Sequence, residues 1–222
     1  MDSLERHDVL CDNISSNLNE TLEKFPDIIL TILFVNKHNA ETFKERYSEI
    51  GPRIKKLNWE NWLELNYTQQ ELEDIFQLMP YLEYLSLGVW KSLTNFNETS
   101  EFKFDNLKSL TLRFYNESIY KFFNKALPCN QLRSLEHDYL HSDELFLKFL
   151  EDQKSIDELT LVGKFDNFVP YKSLKLKKLT FYYGQGKNVS EELEESFKEF
   201  LLSQPQLEQL EMPPEHNKDS LT

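Results

Sequence analysis

The sequence is poor in glycine and cysteine, and each shortage excludes classes of protein. Only 5 of the 222 residues are glycine, which disfavours a fold built on glycine-rich phosphate-binding loops or on many tight hairpins. The two cysteines, Cys11 and Cys129, lie far apart in the chain, unlike the closely spaced cysteines of a disulfide scaffold. We therefore expect a reduced intracellular protein, in the cytoplasm or the nucleus.

Basic residues are also scarce. The chain has 25 Lys and Arg against 38 Asp and Glu, which gives a net charge of −13. Phosphate groups repel such an acidic surface, so we expect no binding to nucleic acid or to an anionic membrane, and we expect a basic protein partner. The aromatic content of 14% argues against a disordered chain, which has few aromatic residues.

The chain has no long hydrophobic run. The longest apolar stretch, residues 28–35, is interrupted by Thr31 and is far shorter than the roughly 20 residues of a membrane helix. The first seven residues have neither the basic nor the apolar segment of a signal peptide. Six Asn-x-Ser/Thr sequons begin at residues 13, 19, 66, 97, 116 and 188. We interpret them as part of an Asn-rich chain whose Ser and Thr cap helices; a glycosylated secreted protein is the alternative.

A six-residue motif recurs along the chain, with apolar residues at positions 1, 4 and 6. One copy is Leu107-x-x-Leu110-x-Leu112, and the copy at 132 has His137 at position 6. The copies begin at residues 29, 54, 82, 107, 132, 156, 176 and 207, and the first of them is the faintest. Positions 3 to 6 alternate polar and apolar residues, which predicts a strand with one buried face.

The segments between the motifs predict amphipathic helices. Apolar residues recur with helical spacing in residues 68–79, 116–127, 142–152 and 190–203. Thr68 and Glu71 form a capping box at the first of these helices. Residues 88–106 show no clean helical pattern, and the interval before Leu176 is too short for more than a turn. A strand–helix unit of about 25 residues buries its apolar side only by stacking on its neighbours.

These motifs resemble the leucine-rich-repeat family over residues 26–213, with about eight repeats of 20 to 31 residues. The resemblance implies an α/β solenoid: a short irregular horseshoe with a parallel sheet on its concave face and helices on its convex face. In that family an Asn stands three residues after position 6 of the motif, with two residues between them. This chain instead has Trp62, Trp90, Tyr115, Leu140, Lys164 and Gly184 there, so we expect irregular turns.

The sequences of residues 103–112 and 50–57 are similar to the repeats of F-box/leucine-rich-repeat proteins. In that family a helical F-box docks on the adaptor of a cullin–RING ubiquitin ligase, and the repeats capture the substrate. Residues 25–33 superficially match the opening of an F-box. They are also rich in β-branched residues and lie 25 residues before Ile54, in register with the motifs, which favours a strand. We expect the F-box to be absent or degenerate.

No catalytic motif is found. The spacing of His137 and His141 resembles that of metal ligands on a helix, but His137 falls on a strand, so we expect no metal and no other cofactor. We expect Cys129 to be packed rather than nucleophilic, and the acidic pairs of residues 191–199 to be a solvated face that could also steer a basic partner. The chain is therefore interpreted as a binding protein and not as an enzyme.

The predicted binding residues occupy positions 3, 5 and 7 of the motifs, which face away from the apolar core. Tyr and Arg among them are residue types enriched at binding hot spots, whereas the alternative is an ordinary solvated sheet. The candidates are Tyr84, Ser86, Ser109, Thr111, Arg113, Glu136, Asp138, Glu158, Thr160, Lys178, Thr180 and Tyr182.

The sequence thus predicts an N-terminal cap or lead-in over residues 1–25, a repeat domain over 26–213 and a flexible tail over 214–222. We expect a monomer that recognises a protein. The first hypothesis is the substrate-binding domain of an F-box-type ubiquitin-ligase receptor, which would contact the ligase adaptor if an F-box is present. The alternative is a stand-alone interaction or inhibitor protein without a role in ubiquitin transfer.

Overall fold

The computed structural model describes residues 20, 23–24, 30–33, 48, 50–60, 67–88, 93–94, 99–113, 117–139, 144–163, 168–183 and 191–212. The chain divides into two compact units, Met1–Pro128 and Cys129–Thr222. Several sequence predictions lie outside the described residues: the lead-in over 1–19, the tail, Cys11, His141, the first residues of the F-box-like segment and the positions where the family has Asn.

The first unit is built on parallel strands. Its described elements are β1 (Leu30–Leu33), a 3-10 turn (Gly51–Arg53), β2 (Lys56–Glu60), β3 (Tyr67–Thr68), α1 (Gln69–Phe76), β4 (Tyr84–Leu87), β5 (Leu93–Thr94), β6 (Ser109–Leu112) and α2 (Glu117–Ala126). Strands β1, β2, β4 and β6 pair side by side in chain order, and every pairing is parallel. The short strands β3 and β5 form a separate parallel pair.

The second unit repeats this plan. Its described elements are β7 (Ser134–Tyr139), α3 (Glu144–Asp152), β8 (Glu158–Gly163), a 3-10 turn (Val169–Tyr171), β9 (Lys178–Tyr183), α4 (Glu191–Leu202) and β10 (Gln209–Glu211). Strands β7 to β10 pair in chain order, again all in parallel. The predicted α/β class with parallel strands is therefore confirmed.

The predicted elements between the motifs are found in the structure. All four predicted helices form, within four residues of the expected bounds. The capping box at α1 is present: the Thr68 amide donates to the Glu71 carboxylate at 2.8 Å, and the Glu71 amide donates to the Thr68 hydroxyl at 3.2 Å. In the interval before Leu176, the described residues 168–175 contain the 3-10 turn and no α-helix, as expected. Leu30–Leu33 is a strand, which agrees with the strand interpretation of this segment.

The backbone hydrogen bonds repeat from one motif copy to the next. The carbonyl at position 2 accepts two amide hydrogens, from positions 2 and 3 of the following copy, with N···O distances between 2.7 and 3.0 Å. This pair of bonds is formed by the carbonyls of Lys55, Glu83, Arg133, Asp157 and Lys177. The motif copies within each unit are therefore structurally equivalent, and not merely similar in sequence.

The core of each unit lies between the apolar face of the strands and the helices. In the first unit Trp59 of β2 packs edge-to-face on Phe76 of α1, with ring centroids 5.9 Å apart. In the second unit Phe181 of β9 contacts Phe168 and Phe197, at centroid distances of 5.4 and 6.0 Å. Part of the aromatic content that the sequence shows is used in these clusters, because large rings fill the space between strand and helix.

Two buried glutamines satisfy backbone amides at the starts of the motifs. The side-chain oxygen of Gln153 accepts hydrogen bonds from the amides of Gln131 and Leu132, at 3.0 and 3.1 Å. That of Gln204 accepts one from the amide of Leu176, at 2.9 Å. Both glutamines lie three residues before position 1 of their own motif and bond to the preceding copy. They bind amides that would otherwise be buried without a partner.

Candidate functional site

The polar face of the strands forms rows that run across each unit. In the first unit, the strand register aligns Lys56, Tyr84 and Ser109 at position 3, and it aligns Asn58, Ser86 and Thr111 at position 5. Arg113 follows β6 at position 7. Because alternate residues of a strand point to opposite faces, these side chains lie opposite the leucine core. We call positions 3, 5 and 7 the outer rows.

The second unit carries the same rows with more charge. The register aligns Ser134, Glu158, Lys178 and Gln209 at position 3, and Glu136, Thr160, Thr180 and Glu211 at position 5. Position 7 aligns Asp138 with Val162 and Tyr182. The structure therefore places every predicted binding residue in the outer rows of one unit or the other. Whether these residues bind a partner stays a prediction.

Three of the predicted contact residues are nearly closed off from solvent. The side chains of Ser86, Thr111 and Thr180 are 4%, 2% and 4% exposed. They are small, and parallel strands lie only about 4.8 Å apart, so the longer residues beside them leave little open surface. These three candidates form a floor, as their small size predicts, and the more accessible groups are their neighbours, such as Tyr84 and Lys178. Whether any of the three contacts a partner stays a prediction.

A polar cluster surrounds Glu211 at the end of the second unit's outer rows. The Thr180 hydroxyl donates to the Glu211 carboxylate at 3.1 Å, and the Lys178 ammonium lies 3.4 Å from it. The Gln209 side chain also donates to this carboxylate. The Thr180 hydrogen bond, with the positive charge of Lys178 and the Gln209 bond, holds the pKa of Glu211 below its usual range. The cluster therefore presents a fixed carboxylate at neutral pH.

The predicted set does not include every residue of the outer rows, and the missing polar residues of the second and last copies are Lys56, Asn58, Gln209 and Glu211. They belong to the copies that begin at 54 and 207. The same alternation of buried and outward residues identifies them once it is applied to these outer copies, so the signal was present. The contact of Glu211 with Lys178 and Thr180 required the strand register.

A ladder of charged side chains runs along position 2 of the motifs, beside the outer rows. In the first unit it consists of Lys55, Glu83 and Lys108, and in the second unit of Arg133, Asp157, Lys177 and Glu208. Two neighbouring pairs form salt bridges: Lys108 with Glu83 at 3.0 Å and Lys177 with Asp157 at 3.7 Å. Surface pairs of this kind contribute little stability, but the signs alternate along each ladder, so the ladder distinguishes one register from another.

His137 is a titratable residue that the structure buries in the core of the second unit. It is 1% exposed, and its ring lies 4.7 Å from that of Phe146. Its Nε2 atom is 2.9 Å from the Tyr171 hydroxyl, which is also buried. Burial lowers the pKa of His137 from 6.5 to about 3, so the ring is neutral at physiological pH. His137 and Tyr171 are packed into the core, where a substrate does not reach them. In this copy of the motif His137 stands at position 6, where several other copies have leucine.

The prediction that Cys129 is packed is wrong. Its side chain is exposed, in a loop where Pro128 and Asn130 are exposed as well. Asn130 has a positive φ of 57°, and its amide donates to the carbonyl of Asp152 at 2.8 Å. The loop turns outward here, because Asn tolerates this left-handed conformation, and Cys129 is carried to the surface.

The acidic helix α4 is partly neutralised by its own neighbours. Lys198 forms salt bridges with Glu194 at 2.9 Å and Glu195 at 3.9 Å, and Lys172 pairs with Glu199. The hydrogen bond and charge of Glu194 raise the pKa of Lys198. The remaining acids of the helix, Glu191 and Glu192, lie in its first turn, where the helix dipole stabilises negative charge. The prediction that this helix attracts a basic partner now rests on these two residues.

The described residues contain no group of three or more His, Cys, Asp or Glu side chains that could hold a metal ion. None of the helices in the described part of the chain has the length and apolar character needed to cross a bilayer. Comparison with family models, with curated proteins and with solved structures gives no match.

Proposed function

We propose that the chain is a leucine-rich-repeat protein, a short irregular solenoid whose parallel strands line a concave face. The sequence supports this with eight copies of one motif. The hydrogen-bond pattern supports it independently: five copies pass the same pair of amide bonds to the next copy, and the strands pair in chain order within each unit. A stack of equivalent units whose strands lie in chain order is the defining property of a solenoid.

We further propose that the outer rows recognise a protein. The observation that carries this proposal is the alignment, within each unit, of Tyr, Lys and Glu side chains in register beside a closed floor of Ser and Thr. Half-buried Tyr84, Arg113 and Tyr182 are held by their strands, so they lose little conformational entropy when a partner packs on them. A deep reactive cleft is not needed for such binding, and we propose that the chain acts as a binding protein and not as an enzyme.

The resemblance to F-box/leucine-rich-repeat proteins extends the proposal to a biological role. In this role the chain captures a substrate for a cullin–RING ubiquitin ligase, in the cytoplasm or the nucleus. The net charge of −13 favours a basic substrate. The alternative is an interaction or inhibitor protein that binds a basic partner and has no role in ubiquitin transfer. The two proposals share the outer rows and differ only in the presence of a ligase adaptor.

Affinity purification of the tagged full chain from its own cells, followed by mass spectrometry, tests both proposals. A Tyr84→Ala/Tyr182→Ala variant removes two aromatic groups from the outer rows. A Lys121→Ala/Lys148→Ala variant is the matched control, because both lysines are exposed on helices. We expect the partner to be retained by the control and reduced severalfold with the tyrosine variant, a typical hot-spot effect.

Each outcome separates the hypotheses. Recovery of the ligase adaptor and its cullin with the wild-type chain supports the ubiquitin role. Enrichment of a basic protein without the adaptor supports the stand-alone role. If the partner is retained equally by the tyrosine variant and the control, the outer rows are not the recognition surface.

A further inference from the structure

The last copy of the motif leaves its apolar positions in solvent. In the copies that begin at 54, 82, 107, 132, 156 and 176, every residue at positions 1, 4 and 6 is at most 5% exposed. In the last copy, Leu210 is 43% exposed and Met212 is 56% exposed, and Leu207 is only half-buried. Leu202, at the end of α4, is 84% exposed. An apolar patch of this kind, on residues that elsewhere form the core, indicates an interaction surface.

The backbone at the same place is also open. Within the described residues β10 pairs with β9 on one side only. The carbonyls at position 2 of the preceding copies, Asp157 and Lys177, each accept two amide hydrogens from the next copy. The carbonyl of Glu208 is the next in this series, and no amide hydrogen from the described residues reaches it. A further parallel strand would therefore continue the series with the same geometry.

The charge ladder specifies what such a strand should carry. Along the second unit the signs of position 2 alternate from Asp157 to Lys177 to Glu208. Each exposed acid or base of this ladder lies beside one of the opposite sign on the next strand, as the 3.7 Å contact of Lys177 with Asp157 shows. The residue at position 2 of an added strand, beside Glu208, is therefore expected to be Lys or Arg. A second copy of this chain is a poor occupant, since both copies carry a net charge of −13.

We propose that β10 is a docking edge for an extended segment of a basic protein, which adds as the next parallel strand. Its apolar side chains cover Leu207, Leu210 and Met212, and its Lys or Arg lies beside Glu208. Residues 213–222 contain two prolines and a single leucine, so they cannot supply the three apolar positions. Strand β10 also carries the outer-row residues Gln209 and Glu211, but the contacts proposed here are made by Leu207, Glu208, Leu210 and Met212. Failure of this proposal would therefore leave the proposed function untouched.

The chain itself supplies two probes of equal length, whose net charges are +2 for residues 50–60 and −1 for residues 78–88. Because overall charge also favours the first peptide, the charge variants described below are needed to isolate position 2. A peptide with the sequence of residues 50–60 carries the motif with Lys55 at position 2, and a peptide with the sequence of residues 78–88 carries Glu83 there. Both have 11 residues. We would label each peptide and measure its binding to the full chain by fluorescence anisotropy. The Lys55 peptide should bind more tightly than the Glu83 peptide to the wild-type chain, by roughly fivefold at low salt.

Three variants make the test specific. Glu208→Lys should reduce the preference for the Lys55 peptide severalfold, because the charge beside position 2 is then repulsive. Glu151→Lys makes the same charge change at an exposed residue of α3 and should leave the preference in place. Leu210→Asp places a charge in the apolar patch and should weaken the binding of both peptides by roughly tenfold. Circular dichroism confirms that each variant is folded, and the Glu208→Lys comparison stands even if Leu210→Asp does not fold.

Three results would overturn the proposal. Equal affinities of the two peptides for the wild-type chain would show that the charge at position 2 does not affect binding. Equal effects of Glu208→Lys and Glu151→Lys would show that only the overall charge matters. A dimer of the chain that forms with rising concentration and dissociates in Leu210→Asp would show that a second copy, and not a basic partner, occupies the edge.

Discussion

The buried His137 makes the stability of the protein depend on pH. Its pKa is about 3 in the folded protein, against 6.5 for an unperturbed histidine. The unfolded chain therefore takes up a proton below pH 6.5 that the folded chain refuses until about pH 3. Stability is complete above pH 6.5 and falls as the pH decreases through this window. Between pH 7 and pH 5 the loss amounts to about 2 kcal/mol of unfolding free energy from this one group.

The perturbation that isolates this effect is the double variant His137→Leu/Tyr171→Phe. Leucine stands at position 6 in several other copies, including Leu112 and Leu161, so it suits the site. Removal of both partners of the 2.9 Å hydrogen bond avoids the cost of about 1 to 3 kcal/mol that a buried polar group without its partner brings. The single variant His137→Leu should be less stable than the double variant for this reason.

The assay is urea unfolding of both proteins at pH 7, 6, 5.5 and 5, followed by far-ultraviolet circular dichroism. Carboxylates that begin to titrate near pH 5 are shared by the two proteins and cancel in the difference. We expect the wild type to lose about 2 kcal/mol more than the double variant between pH 7 and pH 5. A difference that stays constant over this range would refute the claim that His137 is a neutral group in the folded core.

Three further predictions follow from single contacts. Gly51→Ala should lower the unfolding free energy by about 2 kcal/mol or more, because a Cβ atom there would lie 2.2 Å from a backbone carbonyl oxygen; thermal and urea unfolding measure this. Gln153→Ala should destabilise by about 1 to 3 kcal/mol and by more than Gln204→Ala, because Gln153 bonds two backbone amides and Gln204 bonds one. Thr180→Val should raise the pKa of Glu211, since the lost hydroxyl is the main cause of its lowering; carbon-detected NMR titration measures this.

Each of these three has a control and a contradicting result. Arg53→Ala, at an exposed residue of the same turn, should change the unfolding free energy by less than about 0.5 kcal/mol, and an equal effect of Gly51→Ala would contradict the close approach. Gln209→Ala is the exposed glutamine control, and an order in which Gln204→Ala costs more than Gln153→Ala would contradict the account. An unchanged pKa of Glu211 in Thr180→Val would show that Lys178 dominates instead.

The sequence predicted the elements well because periodicity and capping are local signals. The spacing of Leu72, Ile75 and Phe76 defines α1, and Thr68 with Glu71 defines its start. The alternation in residues 107–112 defines β6 and its outward side chains. Even the short interval before Leu176 correctly predicted a turn without a helix. These features depend on residues within one or two turns of each other, so no knowledge of the tertiary structure is needed.

The remaining features depend on contacts between distant residues. The small size of Ser86, Thr111 and Thr180 predicts a floor between longer side chains, but the extent of their burial follows from neighbours on other strands. The pairing of His137 with Tyr171 joins residues 34 positions apart. The exposure of Cys129 depends on how its loop turns at Asn130. The exposed motif at 207–212 has the same pattern as the buried copies, so the sequence alone does not distinguish the open edge.

The central claim is that the outer rows recognise a protein, and a scan of binding affinity tests it most directly. With the partner from the affinity purification in hand, calorimetry would compare alanine variants of the outer rows with alanine variants of exposed helix positions. The account predicts losses of tenfold or more at Tyr84, Lys178 or Tyr182 and almost none at Lys121, Lys148 or Glu151. Losses concentrated on the helices, with the outer rows unaffected, would contradict it.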